Sequence, residues 1–319
     1  MKYNSKKYII ASDIGGTKIS TALGAIKGKI ISKNIISLKK PYSLNTFLSE
    51  FNKNINELIN KNNISKNNIL LISLAVAGHL DPKKGIVYCS PNLPIINRKN
   101  IIKLISNKIK IKTIIENDAN AAAYGEYLFG AGKNCKSFIY LTISTGIGGG
   151  IIINGNIHHG SHFLAGEIGH MSLDILKGPK CKCGDIGCFE SIASGTALEE
   201  RAKKYFKNSK DKNITTKIIA DAAKKNDKLA VKFIKENAQY IGQGIINLIK
   251  ILDPEKIIIG GGLSKIGPLL FNEIKKEVKK SKMLKKGNIS TPIIPSKLKT
   301  DEGLYGALAL GINCLNKKS

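Results

Sequence analysis

Residues Tyr8-Ile9-Ile10-Ala11-Ser12-Asp13-Ile14-Gly15-Gly16-Thr17-Lys18 form an apolar run that ends on a carboxylate and a glycine turn. Tyr8 to Ile14 reads as a buried strand, and Ile19 to Ile26 and Lys29 to Ser37 follow across tight turns, which predicts a three-stranded meander. A second such turn, Ser144-Thr145-Gly146-Ile147-Gly148-Gly149-Gly150, follows a strand expected over Ser137 to Ser144 and leads into Gly149 to Ile153 and Asn156 to His158. After the first turn come a helix at Leu44 to Asn60, a strand at Ile69 to Ala75, a helix at Asn100 to Ile109, a strand at Lys112 to Glu116 and a helix at Ala119 to Phe129. After the second come a helix at Lys228 to Leu252, a strand at Lys256 to Ile259, a helix at Pro268 to Lys280, a strand at Thr291 to Ile294 and a helix at Glu302 to Leu315. The same order, occurring twice, predicts an internal duplication of α/β type. Two glycine turns facing one another would line a cleft with backbone N–H groups, which cradle polyphosphate without a Walker-type loop. A plain β-hairpin is the alternative for a lone Gly-Gly-Thr turn. Asp13 argues against it, because a carboxylate ending a buried strand is costly unless it organises Mg²⁺ or a hydrogen-bond network.

Composition bounds the function. A chain of 319 residues with 42% hydrophobic content fits two lobes. The net charge of +28 would suit nucleic acid, but Arg98 and Arg201 are the only arginines, whereas phosphate forks and base readers draw on Arg. The lysines run with Asn and Ile along the whole length, which reads as a solvated surface with no nucleic-acid partner. The charged N-terminus leads straight into the first strand, and no stretch approaches the roughly 18 to 20 apolar residues of a membrane helix, so a soluble, cytoplasmic protein is expected.

Two further constellations carry chemistry. In Glu116-Asn117-Asp118-Ala119-Asn120 a strand end meets a helix start. Asp118 there is either a helix N-cap or, with Asn117 beside it, a carboxylate that binds and deprotonates a sugar hydroxyl. Glu167-Ile168-Gly169-His170 precedes Cys181-Lys182-Cys183 and Cys188-Phe189-Glu190, and one His with three Cys fills a closed tetrahedral zinc site. Three buried, unligated cysteines are the alternative. Glu167 and Glu190 flank this set without being needed by a metal, and are expected to accept hydrogen bonds from vicinal sugar hydroxyls.

In this order the motifs resemble the ROK family of bacterial sugar kinases and repressors, over nearly the whole chain. The resemblance implies the duplicated actin-like, ribonuclease H-like ATPase fold, in two lobes with a central cleft. The lobes are expected at residues 1–118 plus 301–319 and at 119–300, the latter carrying the zinc loop. It implies Asp118 as catalytic base, with Gly78, Asn117, Glu167, His170 and Glu190 at the sugar. His170, Cys181, Cys183 and Cys188 would hold a structural Zn²⁺. Asp13, Gly15, Gly16, Thr17, Lys18, Thr145 and Gly146, with Gly260, Gly261 and Gly262 on the adenosine side, would bind ATP with Mg²⁺. Ser144 departs from the Gly that opens the second turn in the family's kinases. Family repressors carry a DNA-binding segment ahead of the first turn, where this chain has twelve residues, so a kinase is expected. Ser90-Pro91-Asn92-Leu93-Pro94 resembles a segment of the family's glucokinases, making glucose the expected acceptor. N-acetylmannosamine, fructose and N-acetylglucosamine are the alternatives, polyphosphate is an alternative donor, and a non-catalytic sugar-binding regulator is the alternative of another class. A homodimer or homotetramer is expected from the family.

Overall fold

The structure is a computed structural model that describes residues 7–38, 43–205 and 214–317. In chain order its elements are β1 (Tyr8–Ile14), β2 (Lys18–Ala25), β3 (Ile30–Ser37), α1 (Leu44–Lys61), β4 (Ile69–Val76), β5 (His79–Asp81), β6 (Ile86–Cys89), β7 (Lys99–Asn100), α2 (Ile101–Ile109), β8 (Thr113–Asn117) and α3 (Asp118–Phe129). There follow β9 (Phe138–Ile143), β10 (Ile147–Ile153), β11 (Asn156–Ile157), α4 (Phe189–Ala193), α5 (Gly195–Tyr205), α6 (Thr216–Lys224) and α7 (Lys228–Leu252). The chain continues through β12 (Ile257–Gly260), α8 (Pro268–Val278), α9 (Lys282–Lys286), β13 (Ile293–Pro295) and α10 (Glu302–Asn316). The described residues fall into two compact units: Met1–Asn134 with Asn156–Ala165 and Thr300–Ser319, and Cys135–Gly155 with Gly166–Lys299.

In the first unit the sheet order is β3-β2-β1-β4-β8. β1 pairs antiparallel with β2 and parallel with β4, and β4 pairs parallel with β8. The apolar run of β1 follows from this place in the middle: Ile9, Ile10 and Ala11 are fully buried, because helices cover both faces of a parallel strand. β3, at the edge, alternates half-buried and exposed residues instead. On one face α1 and α2, capped by Ser43 and Asn100, bury Phe47, Phe51, Ile55 and Ile105. On the other, α10 packs on α3 and β1, where Gly306 admits the backbone at Ala121 and Gly24 admits Leu308. A side chain at Gly306 would strike that backbone, so this close approach depends on glycine.

The strands of the second unit repeat the scheme. β9 pairs antiparallel with β10 and parallel with β12, which pairs parallel with β13. Phe233, Ile241 and Ile245 of α7, Leu270 and Ile274 of α8, and Phe189 fill its core. Both units thus carry the sheet of the actin-like, ribonuclease H-like fold. Among the described residues, no helix is long and apolar enough to cross a membrane.

Candidate active site

In parallel sheets ligand chemistry gathers at the carboxyl ends of the strands. Register aligns Asp13 of β1 with Ala75 of β4, and Ala75 with Glu116 of β8, so Asp13, Glu116, Asn117 and Asp118 share one sheet edge. Burial above all, then the negative charge of Asp118, pushes the Asp13 carboxyl up to about 6, while Lys18 pulls it down. The first turn of α10 lies against this carboxylate, and a Cβ at Gly303 would stand 2.5 Å from its Cγ.

The first glycine turn is closed by the Gly15 N–H donating to the Lys18 carbonyl at 3.0 Å, leaving Thr17 and Lys18 exposed. Its Gly16 abuts the backbone of Asn92, the centre of the Ser90–Pro94 segment, so the turn and that segment fit only without a side chain. Gly16→Ala is therefore expected to cost about 1–3 kcal/mol, read as a lowered urea midpoint. An unchanged midpoint would mean that the Asn92 loop simply yields.

Asn117 takes the cap of α3. Its Oδ1 accepts from the N–H groups of Ala119 (2.9 Å) and Asn120 (3.1 Å), and its Nδ2 donates to the Gly78 carbonyl at 3.1 Å. Gly78 sits at φ +130°, a conformation closed to other residues, and a side chain there would strike Cys89. Capping is therefore the duty of Asn117, and Asp118 begins the helix with Oδ1 accepting from Ala119 N–H at 2.9 Å.

In the second unit Ser144 N–H donates to the Gly146 carbonyl at 2.8 Å, so the turn closes with serine in the family's glycine position. Glu190, in the first turn of α4, accepts from Ile147 N–H at 2.8 Å, and its carboxylate lies where a side chain at Gly146 would go. α4 is pinned from behind: Arg201 donates to the Ile192 carbonyl, and Asn237 donates to that of Ala193 at 2.9 Å. A cavity of about 610 Å³ opens beside the turn, lined by Ser144, Thr145, Thr216, Ala220, Gly262 and Leu263 among others. Of the three expected adenosine-side glycines only Gly262 lines it. Gly261, at φ +79°, lets the end of β12 pass the Ile143 backbone, and Gly260 ends that strand in the core.

The metal-type donors also converge here. Ligand atoms of His170, Cys181, Cys183 and Cys188 all lie within 4.8 Å of one another. The Cys183 and Cys188 sulfurs are 3.6 Å apart, and Cys181 Sγ is 3.7 Å from His170 Nδ1. Tetrahedral zinc with bonds near 2.3 Å to sulfur and 2.0 Å to nitrogen sets ligands about 3.5–3.8 Å apart, so the set fits that ion. Burial first, then the neighbouring sulfurs, push the Cys188 thiol up to about 12, and burial raises Cys181 too, as expected where only a cation makes joint ionisation favourable. Glu167 precedes the 3-10 turn Ile168–His170, and its Oε2 faces His170 Nε2 at 3.9 Å.

Glu116 and His159 carry no role in the sequence reading. Glu116 is buried, with Oε2 2.7 Å from His159 Nε2. Glu116 was legible by the logic applied to Asp13, a carboxylate ending a buried strand. The clue to His159 is composition: His158, His159 and His162 are three of only five histidines.

The sequence matches the ROK family over residues 9–313. It is 32% identical over 286 residues to a glucokinase of Halalkalibacterium halodurans, covering 85% of each chain. It is also 34% identical over 303 residues to a xylose repressor of Bacillus spizizenii, covering 93% of this chain and 75% of the repressor. The crystal structure of a ROK family glucokinase from Streptomyces griseus, in complex with glucose and AMPPNP, superposes with a TM-score of 0.81 at 30% identity, covering 95% of this chain and 98% of that one. From the paired sheets, the two glycine turns and these matches together, the chain belongs to the ROK family.

Proposed function

We propose that this protein is an ATP-dependent hexose kinase with Asp118 as its base and glucose as its preferred acceptor. The observation that carries the reading is the division of labour at α3: Asn117 is the N-cap residue, while Asp118 opens the helix with Oδ1 on the Ala119 N–H and its charge is felt by Asp13. Phosphoryl transfer asks for positioning, charge neutralisation and a carboxylate to take the hydroxyl proton. Asp118 takes that proton as the acceptor oxygen attacks the γ-phosphorus and the bond from that phosphorus to the β–γ bridging oxygen breaks, ADP leaving. Glu167, His170 and Glu190 accept or donate hydrogen bonds to the sugar's hydroxyls. Thr17, Lys18, Thr145 and the turn backbones orient the phosphates, and the Thr216–Leu263 cavity, large enough for a nucleoside, supports ATP over polyphosphate. Mg²⁺ bound with ATP would neutralise phosphate charge, and Asp13, raised first by burial and then by the charge of Asp118, fits the residue that holds it. Zinc held by His170, Cys181, Cys183 and Cys188 would shape the loop and activate no water, since four protein ligands fill its positions.

A coupled assay of ATP and polyphosphate consumption over glucose, N-acetylmannosamine, fructose and N-acetylglucosamine tests the reading. No turnover with any acceptor would leave the second reading, a sugar-binding regulator, which the similarity to a xylose repressor favours.

Asp13 gives a pH signature. Its folded value of about 6 lies above the usual 3.8, so folding stability is greatest while Asp13 is protonated and declines as pH rises from about 4 to 6. Asp13→Asn is accordingly expected to be more stable than wild type at pH 7.5, by on the order of 1–3 kcal/mol, with the gap closing at pH 4. Its kcat should fall. Urea unfolding at both pH values measures this, and a gap unchanged by pH would remove Asp13 as its source.

A further inference from the structure

Glu116 holds the ground on which Asp118 stands. It is 5% exposed at the end of β8, where an ionised carboxylate survives only if its oxygens are satisfied. Oε1 accepts from the Asn117 N–H at 2.9 Å and from Asn120 Nδ2 at 3.2 Å, fixing the residues on both sides of Asp118. Asn117 in turn holds the Ala119 and Asn120 N–H groups and the Gly78 carbonyl. The residues before and after the base are thus tied either to Glu116 or to the asparagine it fixes.

The other oxygen, Oε2, is met by His159 Nε2 at 2.7 Å, across 43 residues of sequence. Facing a carboxylate, that nitrogen carries the proton and donates it. His159 keeps its own place: its ring meets Phe163 edge-on at 6.2 Å, its carbonyl accepts from Ala165 N–H at 3.2 Å, and the nearby His162 carbonyl meets His79 Nε2 at 2.9 Å. With His159 removed, Oε2 of Glu116 would lose its partner and turn toward water, and Oε1 would loosen its hold on Asn117 and Asn120. Displacement of a base by about 1 Å is enough to cost on the order of 10²-fold in rate.

We propose that His159 is a positioning residue for Asp118, acting through Glu116. The proposal rests on Asp118 being the base, and concerns the step rather than sugar affinity. His159→Leu removes the donor while keeping apolar bulk, and should lower kcat roughly 10- to 100-fold with the KM values for sugar and ATP within about twofold. His159→Gln restores a donor to Oε2 and should regain most of the kcat. Wild-type kcat in His159→Leu, an equal loss in both variants, or a rise in KM as large as the fall in kcat would overturn the proposal. Should His159→Leu fail to fold, Glu116→Gln replaces it. The amide still accepts from Asn117 N–H but loses the charge that draws His159, so kcat should fall, and adding His159→Ala, which removes the donor altogether, should cost nothing more. Additive losses would overturn the coupling. Asp118→Asn assayed in parallel separates the two readings: if it keeps its turnover, the base assignment fails and the proposal with it. If it is inactive while His159→Leu is normal, only His159 is misassigned.

Discussion

Asp118→Asn is expected to lose kcat by on the order of 10²–10⁴-fold while binding sugar as the wild type does. The fold should be indifferent to the change. Asn117 keeps the cap of α3, and the new amide oxygen can still accept from the Ala119 N–H as the carboxylate oxygen does. What disappears is the group proposed to take the hydroxyl proton. The substitution also removes a negative charge beside Asp13, so the Asp13 carboxyl should drop toward its ordinary range. Titration calorimetry with glucose, the coupled assay and the pH dependence of unfolding read these three effects separately. A variant that kept most of its kcat would end the assignment of Asp118 as base, however the sugar bound.

Loss of the metal should have the second-largest effect. Cys183 is the exposed member of the Cys/His set, with its sulfur 3.6 Å from that of Cys188 and 3.7 Å from Asp185 Oδ2. Cys183→Ala is expected to leave the purified protein without zinc and to raise KM for the sugar tenfold or more, because the loop carrying Glu167 and His170 loses its fastener. Glu190 lies two residues after Cys188, yet it is also tied to Ile147 N–H and pinned through α4 by Arg201 and Asn237. KM for ATP should therefore move only a few-fold. Metal analysis of the wild type by mass spectrometry, with sugar titrations of both proteins, checks this. Full activity in a zinc-free wild type would remove the metal from the account.

Much of the scaffold is legible because its signals are strong and local. The apolar runs of β1 and β12 and the long period of α7 set their elements to within a residue or so. The glycine turns and the cysteine spacing likewise mark the candidate site residues, since each follows from what a backbone or a cation needs. Strands β5, β6 and β7 are two to four residues long, too short for alternation to register. α4 has five residues, below a helical period worth counting. The cap of α3 exposes a different limit: Asn117 and Asp118 are equally good cap residues by type, and only the backbone decides between them. Glu116 and His159 meet through tertiary packing, which no local pattern encodes.

The first unit is assembled from three separate stretches of chain, and α10 is the last of them. Ile9 and Ala11 of β1 share a core with Ala307 and Leu308 of α10, partners from opposite ends of the sequence. During synthesis β1 emerges long before α10, and its outer face stays uncovered until residues 302–316 leave the ribosome, by which time the residues of the second unit have all been made. Loop-closure entropy delays such distant contacts, so the second unit should be able to reach its native state while the first still waits. Refolding should then show two phases, the slower one reporting β1 and α10, and the nascent chain would pass through an interval when one face of an apolar mixed sheet is open to aggregation or to a chaperone.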